Sequence, residues 1–234
     1  MSVYDPIARL YDPWSRSVVE DVTFYVEEAL ASGGPVVELG AGTGRITVPI
    51  AAAGVPVIGV DTSEGMLAVC REAAAAGGVT GLVDLRLGDL REPPVAERVP
   101  LAICPFRALL HMETEADRRR ALGAAYELLE PGGRFVFDVF EPDDEDIATT
   151  DGIWLEREPG IWERADWDRD ARTLTLSVRG PDSTSTLELA WISAPEWHAL
   201  LSAAGFELEA LYGWFDRRPH AGGEDSVWVA RRPA

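Results

Sequence analysis

Apolar residues follow two rhythms along this chain, short unbroken runs and helical repeats, and the two alternate over most of its length. Val36-Val37-Glu38-Leu39 is a run of the buried-strand type that stops at three alternating glycines, Gly40, Gly42 and Gly44. Ile46 to Ala53 reads as a helix closed by Gly54, and Val57-Ile58-Gly59-Val60 as a second strand closed by Asp61, which completes one βαβ unit. Ahead of it, Val18, Val22, Tyr25, Val26 and Ala29 recur at helical spacing until Gly33-Gly34-Pro35 stops the helix. Behind it, Ser63 caps a helix carrying Met66, Cys70 and Ala73 on one face. Leu82 to Leu87 and Val99 to Ile103 are the third and fourth strands. Thr114 opens a helix with Leu122, Ala125, Tyr126 and Leu129 on its apolar face, and Pro131-Gly132-Gly133 ends it before a strand from Arg134 to Asp138.

Past Asp138 the rhythm changes. Glu141 to Asp146 is an acidic stretch that predicts a linker or loop, and seven of the eight tryptophans lie beyond residue 150, which marks this half as a different kind of structure. Leu174, Leu176 and Val178 alternate with Thr173, Thr175 and Ser177, and Trp162 and Trp167 precede a turn at Asp168 to Ala171. This pattern predicts two to four antiparallel strands inserted as a lid. Ser193, Pro195, Trp197, Leu200, Leu201 and Ala204 mark a capped helix ended by Gly205, and Phe206 to Trp214 and Ser226 to Arg232 close the chain as two strands. The opening from Tyr4 to Trp14, aromatic and interrupted by prolines, predicts short helical turns laid across the core. The expected organisation is a cap and α/β core over 1–150, a β insertion over 151–193 that makes lid, substrate or dimer contacts, and a helix with strands completing the core over 194–234.

Charge narrows the ligand. Forty acidic against 21 basic side chains give a net −19, and the longest basic cluster, Arg118-Arg119-Arg120, sits on a predicted helix, so a nucleic-acid substrate is not expected. Cys70 and Cys104 lie in apolar segments without metal-ligand spacing, which predicts neither a disulfide nor a zinc site and fits a reducing cytoplasm. No apolar run reaches the roughly 20 residues that span a bilayer, so no membrane association is expected.

The glycine loop predicts a small polar ligand, because Gly40, Gly42 and Gly44 let the backbone take positive φ and the helix starting near Gly44 offers free N–H groups. A dinucleotide fingerprint wants G-x-G-x-x-G, whereas here Arg45 stands in the third glycine's place, which weakens a nicotinamide reading. Asp61 follows Gly40 by 21 positions, at a strand tip where a carboxylate can accept both hydroxyls of a ribose. The exit of the fourth strand, Cys104 to Met112, falls on the same carboxyl edge of the sheet, where open α/β sheets bind ligands.

Glu38-Leu39-Gly40-Ala41-Gly42-Thr43-Gly44-Arg45 resembles the first motif of class I S-adenosylmethionine-dependent methyltransferases, in particular bacterial enzymes acting on small molecules. Asp61, Gly88-Asp89-Leu90, the fourth-strand exit and Leu129-Glu130-Pro131-Gly132-Gly133 follow in that family's order. The resemblance covers about Tyr4 to Phe140 and again Trp197 to Phe215. It implies a Rossmann-like, doubly wound α/β fold: a seven-stranded, mostly parallel sheet with an antiparallel final hairpin and helices on both faces, here with the antiparallel β lid inserted. It implies S-adenosylmethionine as cofactor and S-adenosylhomocysteine as product, held by Tyr11, Glu38, Gly40, Ala41, Gly42, Gly44, Arg45, Asp61, Thr62, Met66, Asp89, Leu90 and Pro105, with Asp89 at the adenine amino group.

The expected reaction is methyl transfer to an oxygen or nitrogen of a small metabolite, in the setting of secondary metabolism. His111 is the candidate base, since it follows the fourth strand's exit and imidazole titrates in the useful range. His198 and His220 read as structural. Phe106, Arg107, Trp154, Trp162 and Trp214 are the candidate substrate contacts. No metal is expected, because no His/Cys cluster and no acidic pair followed by Asn occurs. A monomer, or a homodimer through the insertion, is expected. The rival readings are a nicotinamide-dependent oxidoreductase and a non-catalytic module that binds the cofactor.

Overall fold

The computed structural model describes residues 2–15 and 19–234, so Val18 of the first predicted helix lies outside the described residues. Two short helical turns open the chain, a 3₁₀ turn at Asp5–Ile7 and α1 (Ala8–Trp14), followed by α2 (Glu20–Ser32). The alternating core comprises β1 (Val36–Leu39), α3 (Thr47–Ala52), β2 (Val57–Asp61), α4 (Glu64–Ala76), β3 (Val83–Leu87), β4 (Val99–Cys104), α5 (Glu115–Leu128) and β5 (Leu129–Phe140). Then come α6 (Asp144–Thr150), four strands β6 (Trp154–Glu158), β7 (Ile161–Asp168), β8 (Thr173–Arg179) and β9 (Thr184–Ala190), and finally α7 (Ala194–Ala203), β10 (Glu207–Tyr212) and β11 (Asp225–Arg231).

Seven strands form one sheet in the order β10-β11-β5-β4-β1-β2-β3, parallel except where β11 pairs antiparallel with both β5 and β10. The central strands are apolar without alternation because both faces are covered. Phe24, Tyr25 and Ile50 from α2 and α3 pack on one face, and Leu122, Ala125, Trp197 and Leu200 from α5 and α7 on the other. Strands β6 to β9 form a separate antiparallel sheet in sequence order. Ala165, Leu174 and Leu189 on its inner face join the main core.

Three local expectations change. The acidic stretch after β5 starts a helix: Asp143 accepts from the amides of Glu145 and Asp146, Asp146 answers by accepting from the Asp143 amide, and the acidic first turn suits the positive end of the helix dipole. The pairing of β4 with β5 jumps from Val99–Leu129 to Leu101–Arg134, so Pro131-Gly132-Gly133 forms an irregularity within the strand rather than a separate turn. Helix α3 keeps within one residue of the helix read over Ile46 to Ala53, but it starts three residues after Gly44, so residues 40–46 form the loop itself.

Gly44 shows why that loop needs glycine. Its φ is 89°, and a Cβ there would sit 2.5 Å from the Sγ of Cys70 in α4. Gly44→Ala therefore combines an unfavourable backbone conformation with overpacking against the buried Cys70 side chain. It is expected to lower the unfolding free energy by about 1–3 kcal/mol. Chemical denaturation checks this, and an unchanged midpoint would contradict it.

Candidate active site

The parallel strands end together, and their exits enclose two adjoining cavities. The first, of about 270 Å³, lies over the glycine loop and is lined by Gly40, Gly42, Asp61, Thr62, Met66, Asp89, Leu90 and Pro105, with Tyr4 and Tyr11 from the opening segment across it. Gly40 has φ 82° and Gly42 φ 56°, and a Cβ on Gly40 would come within 3.0 Å of Ala108. The bare backbone keeps this floor open.

Asp61 is fixed by its neighbours. The Gly42 amide donates to Oδ2 at 2.9 Å and the Ser63 amide to Oδ1 at 2.8 Å, so each oxygen retains acceptor capacity. Burial raises its pKa, while these amides pull the other way. Ser63 caps α4 by accepting from the Met66 amide, which leaves Asp61 out of the capping role. Asp89 is held by Arg91, whose Nη2 donates to Oδ2 at 2.6 Å and which also pairs with Asp117; that contact keeps the Asp89 carboxyl below its ordinary range. A floor of open backbone with carboxylates at two neighbouring strand tips fits a ligand bearing a ribose and a purine.

Four of the residues expected to touch the cofactor do not line this cavity. Glu38 in β1 and Ala41 within the loop are both buried. Thr47 donates its hydroxyl to Glu38, and burial pushes the Glu38 carboxyl up to about 8. Gly44 packs against Cys70 instead. Arg45 forms a two-pronged ion pair with buried Asp21 and lays its guanidinium 4.6 Å from the centre of the Phe106 ring. These residues shape the loop from behind.

The second cavity, of about 390 Å³, lies between the main sheet and the inner face of the lid. Trp14, Phe140, Trp167, Leu174, Leu176 and Leu187 give it apolar walls, and Arg107, Asp146, Thr150, Arg157, Glu163 and Glu224 give it charge and polarity. Glu163 accepts from Trp14 Nε1 and from Arg157, both at 2.6 Å. Arg107 pairs with Asp225 at 2.8 Å and covers the Phe140 ring. Burial and the neighbouring Asp225 raise the pKa of Glu224.

Trp154, Trp162 and Trp214, expected as substrate walls, do not line this cavity among the described residues. Side chains alternate across a strand, so Glu163, Ala165 and Trp167 face inward while Trp162 shares the other face with Arg164. Trp154 pairs in register with Arg164 and carries Arg179 over its ring at 4.7 Å. Trp214 packs on Phe215 at the far end of the sheet. The tryptophans that do line it are Trp14, brought in by the opening turns, and Trp167, which the phase of β7 turns inward with Ala165.

Tyr4, Tyr11, Phe106 and His111 line both cavities. The Nδ1 of His111 stands 3.1 Å from the Glu188 carbonyl, which can only accept, so Nδ1 carries the proton. Its Nε2 then presents a lone pair, and the Tyr4 hydroxyl donates to it at 2.7 Å. Burial lowers the His111 pKa, and the ring is neutral at neutral pH. Tyr4 was not anticipated, since nothing in the sequence ties position 4 to position 111. His198 and His220 lie outside both cavities. Among the described residues no group of three or more His, Cys, Asp or Glu side chains is placed to hold a metal ion, and no helix is long and apolar enough to cross a membrane.

The sequence model of the methyltransferase domain family matches residues 36–133, the stretch that carries the glycine loop, Asp61 and Asp89. Demethylmenaquinone methyltransferase of Symbiobacterium thermophilum is 32% identical over 149 residues, 57% of this chain; the chain spans only 56% of that enzyme's length. The structure of the CcbJ methyltransferase from Streptomyces caelestis superposes with a TM-score of 0.86 at 30% identity, covering 100% of this chain and 99% of that one. CalS10 of Micromonospora echinaspora, an amino pentose methyltransferase with its S-adenosylmethionine bound, shares the fold at a TM-score of 0.67 and 22% identity over 99% of this chain and 97% of its own. These likenesses set aside the oxidoreductase and the non-catalytic readings. Full-length similarity at this identity, joined to the matched domain, makes the chain a member of the class I S-adenosylmethionine-dependent methyltransferases.

Proposed function

We propose that the protein methylates an oxygen or nitrogen of a small metabolite held in the lid cavity, as a step of secondary-metabolite biosynthesis in the cytoplasm. The observation that carries this reading is the Tyr4–His111 pair on the wall common to both cavities. Bound in the first cavity, S-adenosylmethionine supplies an activated methyl group. Asp61 accepts its ribose hydroxyls, Asp89 and Leu90 border its base, and Gly40, Gly42, Thr62, Met66, Pro105 and Tyr11 complete the enclosure. Holding donor and acceptor in two adjoining cavities supplies much of the catalysis, because alignment converts a bimolecular encounter into a local one.

The acceptor's proton leaves through the pair. Tyr4 already donates its own proton to His111 Nε2, so its oxygen offers a lone pair to an acceptor hydroxyl or amine. Burial pushes the Tyr4 pKa far up, so the phenol moves a proton through rather than resting as a phenolate. The carboxylates of Asp146, Glu163 and Glu224 make the lid cavity hospitable to an amine-bearing acceptor. The amino pentose substrate class of CalS10 is compatible with that lining.

Calorimetry with S-adenosylhomocysteine, followed by labelled methyl transfer onto a panel of amino sugars and hydroxylated metabolites, tests the reading. Heat of binding and label in at least one acceptor are expected. Absence of heat and of any thermal shift with the cofactor or its product would overturn it.

A further inference from the structure

The turn that delivers Phe106 and Arg107 to the two cavities is unusual. Both residues have positive φ, 55° and 64°, although neither is glycine. Such a conformation persists only when its surroundings hold it. What holds it is one side chain from the neighbouring strand: Asp138 of β5 accepts from the Phe106 amide at 2.8 Å through Oδ1 and from the Arg107 amide at 3.0 Å through Oδ2. Successive amides in a turn form a concavity for an anion, and here the anion belongs to the protein. Tyr25 of α2 donates its hydroxyl to the same Oδ1 at 2.6 Å. Asp138 is buried and does not line either cavity.

Resting on the reading of the two cavities given above, we propose that Asp138 is a positioning residue of methyl transfer: its carboxylate clamps the Phe106–Arg107 turn and so sets the wall between donor and acceptor. The Phe106 ring depends on that turn, with the Arg45 guanidinium 4.6 Å from its centre and the Tyr11 ring nearly perpendicular to it at 6.1 Å between centres. Arg107, which lines the lid cavity, is directed by the same turn to its ion pair with Asp225 of β11. The clamp is strongest with Asp138 ionised, because only the carboxylate offers acceptors to both amides and to Tyr25 without a competing O–H. The groups facing it are Asp21 and Tyr25 of α2, Arg45 of the glycine loop, and Cys104 and Arg107 at the β4 exit; β11 faces it with Val227. Burial first, and Asp21 as well, push its carboxyl up to about 6.

Amide proton spectra of the protein saturated with S-adenosylhomocysteine, recorded from acidic to mildly alkaline pH, test the clamp. The Phe106 and Arg107 amides are expected to move together with one shared inflection, set by Asp138. In Asp138→Asn, whose side-chain amide turns an N–H towards one of them, the inflection disappears and both amides exchange about tenfold faster or more. Turnover on an acceptor that takes label in the panel of amino sugars and hydroxylated metabolites falls about tenfold or more, with the KM for S-adenosylmethionine unchanged within about threefold. Tyr25→Phe removes only a hydroxyl that favours the ionised form, so the shared inflection moves to higher pH while the fold is kept. Independent inflections at the two amides, or one that stays in place in Tyr25→Phe, would overturn the proposal, as would turnover in Asp138→Asn within about twofold of the wild type. Failure of the wild type to bind S-adenosylhomocysteine would instead count against the cavity reading, since the amide titration of the free protein reports on the clamp alone.

Discussion

Replacing Asp61 by alanine is expected to weaken S-adenosylhomocysteine binding by about 100-fold or more. The carboxylate at the tip of β2 is already oriented by the Gly42 and Ser63 amides, so a bound ribose meets acceptors that need no rearrangement. Hydrogen bonds to a charged group contribute about 1.5–3 kcal/mol each, and two lost together amount to about 3–6 kcal/mol. The loss also frees the Gly42 amide, which loosens the floor of the cavity. Asp61→Asn keeps the volume and one acceptor oxygen and is expected to fall between the two. Calorimetric titration measures this directly, and an alanine variant binding within about threefold of the wild type would remove Asp61 from the cofactor site. The pH dependence has a defined sign. Burial raises the Asp61 pKa, so affinity declines on acidification at a higher pH than an exposed aspartate would give.

That site was legible because its parts are local in sequence. A strand, glycines at alternating positions and a second strand ending in Asp61 are read from periodicity and spacing alone, and the chain places Gly40, Gly42 and Asp61 on one cavity as those spacings require. Glu38 and Arg45 belong to the same motif yet turn away from the cavity, since a motif records which residues recur together and not which way they face. Asp21 shows the difference: it lies 24 positions before Arg45 and captures its guanidinium through α2, a contact that no local pattern announces.

The lid was legible as strands and illegible as a surface. Alternation of Leu174, Leu176 and Val178 correctly marks β8, but which tryptophans face the substrate depends on the phase of β7. A shift of one residue exchanges its two faces. Trp167 is inside and Trp162 outside for that reason. The roles of Tyr4 and Trp14 carry no sequence signal because their partners are tertiary: His111 is 107 positions from Tyr4, and Glu163 is 149 from Trp14. The chemistry of the acceptor side is thus assembled from the opening turns, the β4 exit and the lid, three regions that share no sequence signal.

His111→Ala is expected to reduce turnover by about 100-fold for a hydroxyl acceptor, within the range that positioned proton transfer ordinarily contributes. The imidazole is fixed at both nitrogens, by the Glu188 carbonyl at Nδ1 and by Tyr4 at Nε2, so the variant removes the proton's destination and also the group that orients the Tyr4 hydroxyl. Tyr4→Phe should therefore reproduce most of the loss, and the double variant should add little, because the two act as one relay. Cofactor affinity should stay within about threefold of the wild type, since Asp61 and the glycine loop are untouched. The pH profile separates base from scaffold. Wild-type turnover should rise with pH as His111 loses its proton and then level off, and the rise lies below the ordinary histidine range because burial lowers its pKa. In His111→Ala that acidic limb disappears. An amine acceptor, which need only arrive unprotonated, would show a smaller loss of about tenfold and would move the limb towards the amine's own ionisation. Turnover unchanged in both His111→Ala and Tyr4→Phe would assign the pair to holding the opening turns against the lid, and would leave alignment between the two cavities as the source of rate.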